Sequence, residues 1–308
     1  AYIFKRSGTS WTEQSKLTAS NAGSSDEFGR AVGISGDYAF VGARREDTGG
    51  TDRGSAYIFK RSGTTWTQHA QIQASDAQDS DNFGWALSVD GDYAIVGAYL
   101  EDTGGSNAGS AYIFYKSGTT WSQQAKIQAS DKQADDRFGV SVDIKGEYAI
   151  VGADSEDAGG SAAGAAYIFK RTGTTWSQQS KLMASDAQAD DKFGGYEQCV
   201  AITSDYAVVG ANQEDTGGSN AGAAYVFSRS GSTWTEVKKL TASDTSTNDK
   251  FGMSTAIDGN TIIIGAYNES THGANAGAAY IYSSQQVTNY YITDAGKYSV
   301  DATIAGLN

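Results

Sequence analysis

Five Gly-rich loops hold most of the carboxylates that site chemistry would need. Glu46-Asp47, Glu101-Asp102, Glu156-Asp157 and Glu214-Asp215 each lead into a run of glycines, while a fifth copy, Glu269-Ser270, lacks the Asp. A second acidic set stands just before a recurrent Phe: Asp26, Asp81, Asp135-Asp136, Asp190-Asp191 and Asp249. A hard divalent cation needs six or more oxygens around it. A calcium site would therefore form where one set meets the other, with Asp47, Asp102, Asp157 and Asp215 as the metal candidates. The same residue types also close turns by bonding their own backbone, and that structural role is the expected one. Calcium aside, no cofactor is expected.

Catalysis finds little to work with. The two histidines, His69 and His272, fall in unrelated parts of the chain, and Cys199 has no histidine at a meaningful spacing. There is no nucleophile motif, phosphate loop or His/Cys metal cluster. Paired carboxylates recur in every copy, which speaks for structure rather than for one active site. The chain is expected not to be an enzyme.

Positions that vary inside a fixed frame are the better candidates for binding. Trp85 occupies a slot filled elsewhere by Arg30, Val140, Gly195 and Met253. Arg44, Tyr99, Asp154, Asn212 and Tyr267 each follow a recurrent Gly-Ala. The fourth copy is longer by three residues, and Gly195-Tyr196-Glu197-Gln198-Cys199 take up the extra length. Ligand contact is therefore expected at Trp85, Arg44, Tyr99, Tyr196 and Tyr267. A packing variant is the rival reading for Trp85, and a bulge or wider hairpin is the rival for the insertion. Asn268-Glu269-Ser270 is an N-glycosylation sequon, with meaning only on a eukaryotic secretory route.

The elements that must position these residues are written as a repeat. Tyr2, Tyr57, Tyr112, Tyr167, Tyr225 and Tyr280 open one short phrase, at spacings of 55, 55, 55, 58 and 55. Phe-Gly recurs at Phe28, Phe83, Phe138, Phe193 and Phe251, and a Trp follows a turn at Trp11, Trp66, Trp121, Trp176 and Trp234. In the copy from Ala111, a β-branched and aromatic run leads through Ser117-Gly118 to a polar run from Trp121. A polar loop follows, and then Phe138 to Ile144 alternates with the period of a half-buried strand. After the turn Lys145-Gly146-Glu147, the run Tyr148 to Ala153 is nearly all apolar, as a strand buried on both faces should be.

Four short strands per repeat of about 55 residues is the grammar of a propeller blade. The expected class is all-β, a β-propeller of four-stranded blades, five or six in number. Residues 1–284 would form the propeller, and residues 1–17 would complete the blade begun by 251–282. Residues 285–308 would close the ring or begin a further β module. The glycines of Gly-Ala are expected where blades crowd together, and the Trp strand at the outer rim.

Composition narrows the partners. A net charge of −13 and a pI near 4.5 disfavour nucleic acid and anionic membrane. One cysteine permits no intrachain disulfide, and no apolar stretch is long enough for a membrane-spanning helix. The chain opens at Ala1 inside a repeat phrase, which suggests a mature or excised piece of a longer product.

Phe138-Gly139-Val140-Ser141-Val142, with Ile150-Val151-Gly152-Ala153 after it, resembles the FG-GAP repeat in all five copies. That repeat builds the β-propeller of integrin α subunits and of many extracellular proteins, usually as seven blades. The resemblance covers residues 1–282 and implies an adhesion or scaffold module outside the cell, on a cell surface, fibre, appendage or virion. Its ligands would be proteins, glycans or further copies of itself, and a lectin-like module is the alternative. Two departures stand out. The family's Gly-Ala-Pro has lost its Pro in every copy, and the integrin calcium loop shrinks here to turns such as Asp90-Gly91-Asp92. Three residues cannot supply a calcium shell, so that site does not carry over.

Overall fold

The computed structural model describes residues 1–283, and every regular element among them is a strand. The C-terminal strand or module expected at 285–308 lies outside the described residues. The first full unit is β3 (Val32–Ser35), β4 (Tyr38–Ala43), β5 (Ser55–Ser62) and β6 (Thr65–Ile72). The second is β7 (Leu87–Asp90), β8 (Tyr93–Ala98), β9 (Ser110–Ser117) and β10 (Thr120–Ile127). The third is β11 (Ser141–Lys145), β12 (Tyr148–Ala153), β13 (Ala165–Thr172) and β14 (Thr175–Leu182). The fourth is β15 (Val200–Ile202), β16 (Tyr206–Ala211), β17 (Ala223–Ser230) and β18 (Thr233–Leu240), and the fifth is β19 (Phe251–Asp258), β20 (Thr261–Ala266) and β21 (Ala278–Ser283).

Each unit is an antiparallel meander, paired in chain order from the innermost to the outermost strand. Five such blades make a β-propeller, the fifth with three described strands. The inner strands succeed one another around the axis, β3 beside β7, then β11, β15 and β19. The second strand of each blade is sandwiched: Ile95 and Ile113 share one apolar cluster with Val151 and Tyr167 of the next blade, while Ile150 and Ile168 face Val209 and Tyr225 of the one after. Alternation along the strand thus feeds two interfaces at once, which is why these strands read as continuous apolar runs.

The paired glycines set how closely blades approach. A Cβ on Gly97 would fall 2.0 Å from the carbonyl oxygen of Gly139, and one on Gly152 would fall 1.9 Å from that of Gly194. Backbone meets backbone there, and Gly139 itself sits at φ +96°. The Phe beside it fills the seam: Phe138 is fully buried, tilted against Tyr167 and edge-on to Phe169. The outer-strand indoles are covered as well, Trp66, Trp121, Trp176 and Trp234 being 7–9 % exposed.

The N-terminal hairpin departs from expectation. β1 (Tyr2–Ser7) and β2 (Ser10–Lys16) pair only with each other and do not join the β19–β21 sheet. β21 already holds the place on β20 that β1 would need. Ile3 and Leu17 of the hairpin instead pack against Val41, Tyr57 and Phe59 of the first blade.

Candidate ligand-binding face

Long loops and the Phe-Gly and Gly-Ala corners all lie at one end of the blades, and tight turns lie at the other. The variable residues gather at the loop end. Trp85, placed just after Gly84 where β7 begins, lies under two guanidinium groups: Arg30 is 3.9 Å and Arg44 4.7 Å from the indole centroid. The Tyr99 ring lies 4.4 Å away and that of Tyr196 lies 6.1 Å away. The indole N–H donates to the Val140 carbonyl at 3.0 Å, so Trp85 is only 9 % exposed.

The fourth-blade insertion reaches across the axis. Glu197 accepts two hydrogen bonds from Arg30 of the first blade, at 2.7 and 3.1 Å. Gln198 donates to the Leu87 carbonyl of the second blade, and the Tyr196 hydroxyl accepts from Arg137 ahead of the third. Arg44 is fixed by Glu27 at 2.6 and 2.7 Å and by Asn82 at 3.0 Å. The hydrogen bond from Arg44 holds the Glu27 carboxyl below its ordinary value. Asp154 is completely buried; burial raises its pKa, opposed by the charges of Lys192 and Arg137.

Four of the five expected ligand residues, Trp85, Arg44, Tyr99 and Tyr196, are therefore brought together. Tyr267 stands apart on the fifth blade, 53 % exposed. Asn268, beside it, is half-buried after β20. Arg30, Glu197 and Arg137 complete the cluster. Arg30 and Glu197 were visible in the sequence as occupants of variable slots, but nothing local to Arg137 set it apart.

The acidic sets do not meet. Asp47, Asp102, Asp157 and Asp215 each accept the backbone N–H five residues on, at 2.6–2.8 Å, which closes the Gly-rich loop. Asp26, Asp81, Asp136, Asp191 and Asp249 each accept the N–H three residues earlier. Between the blades, a lysine ammonium joins the glutamate of three of the loops to a different aspartate. Lys126 bonds Asp76 and Glu101 at 2.7 and 2.9 Å, Lys181 bonds Asp131 and Glu156, and Lys239 bonds Asp186 and Glu214. In the first blade the lysine and aspartate are replaced together by Gln71 and Asn21. The signal was a Lys five residues after the Trp, read as part of a polar strand. Among the described residues no group of three or more His, Cys, Asp or Glu is arranged to hold a metal ion.

The sequence pattern of the FG-GAP repeat matches residues 11–59, 66–114, 121–169, 176–227 and 234–282. No curated protein matches the chain. Among solved structures, a putative 6-phosphogluconolactonase from Bacteroides uniformis ATCC 8492 is similar in fold, with a TM-score of 0.59 and 12 % identity over 98 % of this chain and 79 % of that one. At that identity the likeness concerns architecture alone. With five in-register matches along most of its length, the chain belongs to the FG-GAP repeat family.

Proposed function

We propose that this propeller is a non-enzymatic recognition and scaffold module, displayed outside the cell or on a virion or appendage, that binds a protein or glycan through its loop face. The observation that carries this reading is the division of labour between positions. Repeated residues are occupied in packing, whereas Arg30, Arg44, Tyr99 and Tyr196, all in slots that vary between copies, collect around Trp85. Trp85 is a floor rather than a platform. It holds two arginines flat by cation–π attraction, so a ligand would meet the edges of Arg30, Arg44 and Glu197. Planar guanidinium groups with fixed donors suit carboxylate or hydroxyl-bearing partners.

The test is a protein and glycan array, followed by affinity measurement on any hit. Arg44→Ala and Glu197→Ala should each weaken binding about tenfold, and Lys170→Ala at the opposite end should leave it unchanged. A hit indifferent to both loop-face variants would remove the reading. Calcium is not needed for the fold on this view, because amides and ammonium groups already engage the loop carboxylates. The melting temperature should be the same in calcium and in EDTA, and a calcium-dependent rise would restore Asp47, Asp102, Asp157 and Asp215 as metal ligands.

A further inference from the structure

The five inner strands line an axial cavity of about 470 Å³ that is open to solvent, in the size range of small-molecule sites. Its lining is mixed: Ile34, Val89 and Ile257 are the accessible apolar side chains, while Ile144 and Ile202 are packed away between the blades. The repeat puts a small residue at the middle of each inner strand, Gly33, Ser88, Ala201 and Ala256, with one exception: the third blade has Asp143. Each Asp143 oxygen accepts one hydrogen bond, from Ser88 Oγ at 2.7 Å and from the Ile202 amide at 2.8 Å. A carboxylate offers about four acceptor positions, so the group is held in place with capacity left toward the cavity. At the turn-end mouth stand Asp90, Lys145, Thr203 and Asp258. Lys145 lies 2.9 Å from Asp90, which leaves Asp143 and Asp258 to set the sign of the space.

We propose that the axial cavity is a binding site for a small primary alkylammonium, with the charged head on Asp143 and the alkyl stem along Ile34, Val89 and Ile257. The site is independent of the loop face, from which it is separated by the blade-four insertion. An ammonium supplies the donors that Asp143 can still accept, and a charge pair in a partly dry cavity is stronger than in water. Burial pushes the Asp143 carboxyl up to about 6, against the hydrogen bonds from Ser88 and the Ile202 amide and the charge of Lys145. An alkylammonium keeps its charge well above that range, so binding weakens in acid through the protein alone. The other ionisable groups around the cavity are Asp90 on β7, Lys145 on β11 and Asp258 on β19.

The probe is n-pentylammonium chloride, titrated into the millimolar range and followed by calorimetry, with 1-pentanol as the neutral analogue of equal length. The amine should bind at least tenfold more tightly than the alcohol. Its affinity should drop roughly tenfold between pH 7.5 and pH 5. Asp143→Asn, which keeps the shape and an acceptor for the Ile202 amide, should abolish the preference for the amine while the thermal melt shows a folded protein. Lys170→Ala, outside the cavity, should change nothing. Equal binding of amine and alcohol, an unchanged preference in Asp143→Asn, or no heat at all with the folded wild type would each overturn the assignment.

Discussion

In three places the rim tryptophan donates its indole N–H to a glutamine on the preceding outer strand. Trp66 bonds Gln14, Trp176 bonds Gln124 and Trp234 bonds Gln179, each at 3.0 Å. At Trp121 the matching position is His69, whose ring nitrogen lies 2.7 Å from the Thr119 carbonyl instead. The Trp121 N–H is left buried without a partner. An unpaired buried donor forfeits its hydration, so the repeat itself indicates the repair. His69→Gln should stabilise the protein by about 1 kcal/mol, read as a rise in the urea midpoint at unchanged slope. The same substitution in a Trp121→Phe background should have no effect, and a gain that persisted there would show that the indole was not its source.

At the scale of elements, two devices hold blade to blade. One is the glycine contact, where Gly97→Ala would drive a methyl into the Gly139 carbonyl. Backbone must move, and a loss of about 3 kcal/mol is expected. Gly118→Ala, at an outer turn where a Cβ would meet nothing, should lose less, through its φ of +62° alone. The other device is the ammonium bridge. Lys126→Met would leave the buried Glu101 with its hydrogen bonds from Thr103, Ser110 and Gln128 but without its cation, and should cost about 3 kcal/mol. The double change Lys126→Gln with Asp76→Asn reproduces the first blade's Gln71 and Asn21, and its loss should be clearly smaller than the sum of the single losses. Strict additivity would mean that the first blade's paired exchange is coincidence. These interfaces explain what the sequence made legible. Strand identity, turn positions and the crowding at Gly-Ala follow from local pattern, because each copy repeats the same burial. Bridges between blades join residues some 50 positions apart, such as Asp76 and Lys126, and no local period marks them. The gathering of Arg30, Trp85 and Glu197 was hidden for the same reason, since blades one, two and four meet there only through the curvature of the array.

For the whole molecule, two families of carboxylates pull stability in opposite directions as pH changes. Asp81, Asp136 and Asp143 are each raised to about 6, burial being the largest cause. Such groups favour the folded state when protonated, so their contribution is full below about pH 4 and is lost as pH rises through 6. Asp76, Asp131 and Asp186 run the other way. Burial works against them, but hydrogen bonds from Lys126, Lys181 and Lys239 outweigh it and hold them below the ordinary value. Their contribution is present above about pH 4 and disappears in stronger acid. A net charge of −13 adds self-repulsion that eases as acid neutralises it. The two families together place the stability maximum between about pH 4 and 6, below neutrality. Urea unfolding measured from pH 3 to 8 should show that maximum. Asp143→Asn should lift the neutral side by roughly 1–2 kcal/mol, less than its full shift implies because solvent reaches it through the cavity. Stability that climbed steadily from pH 5 to 8 would mean that the lysine bridges, not the enclosed carboxylates, govern the titration of the folded protein.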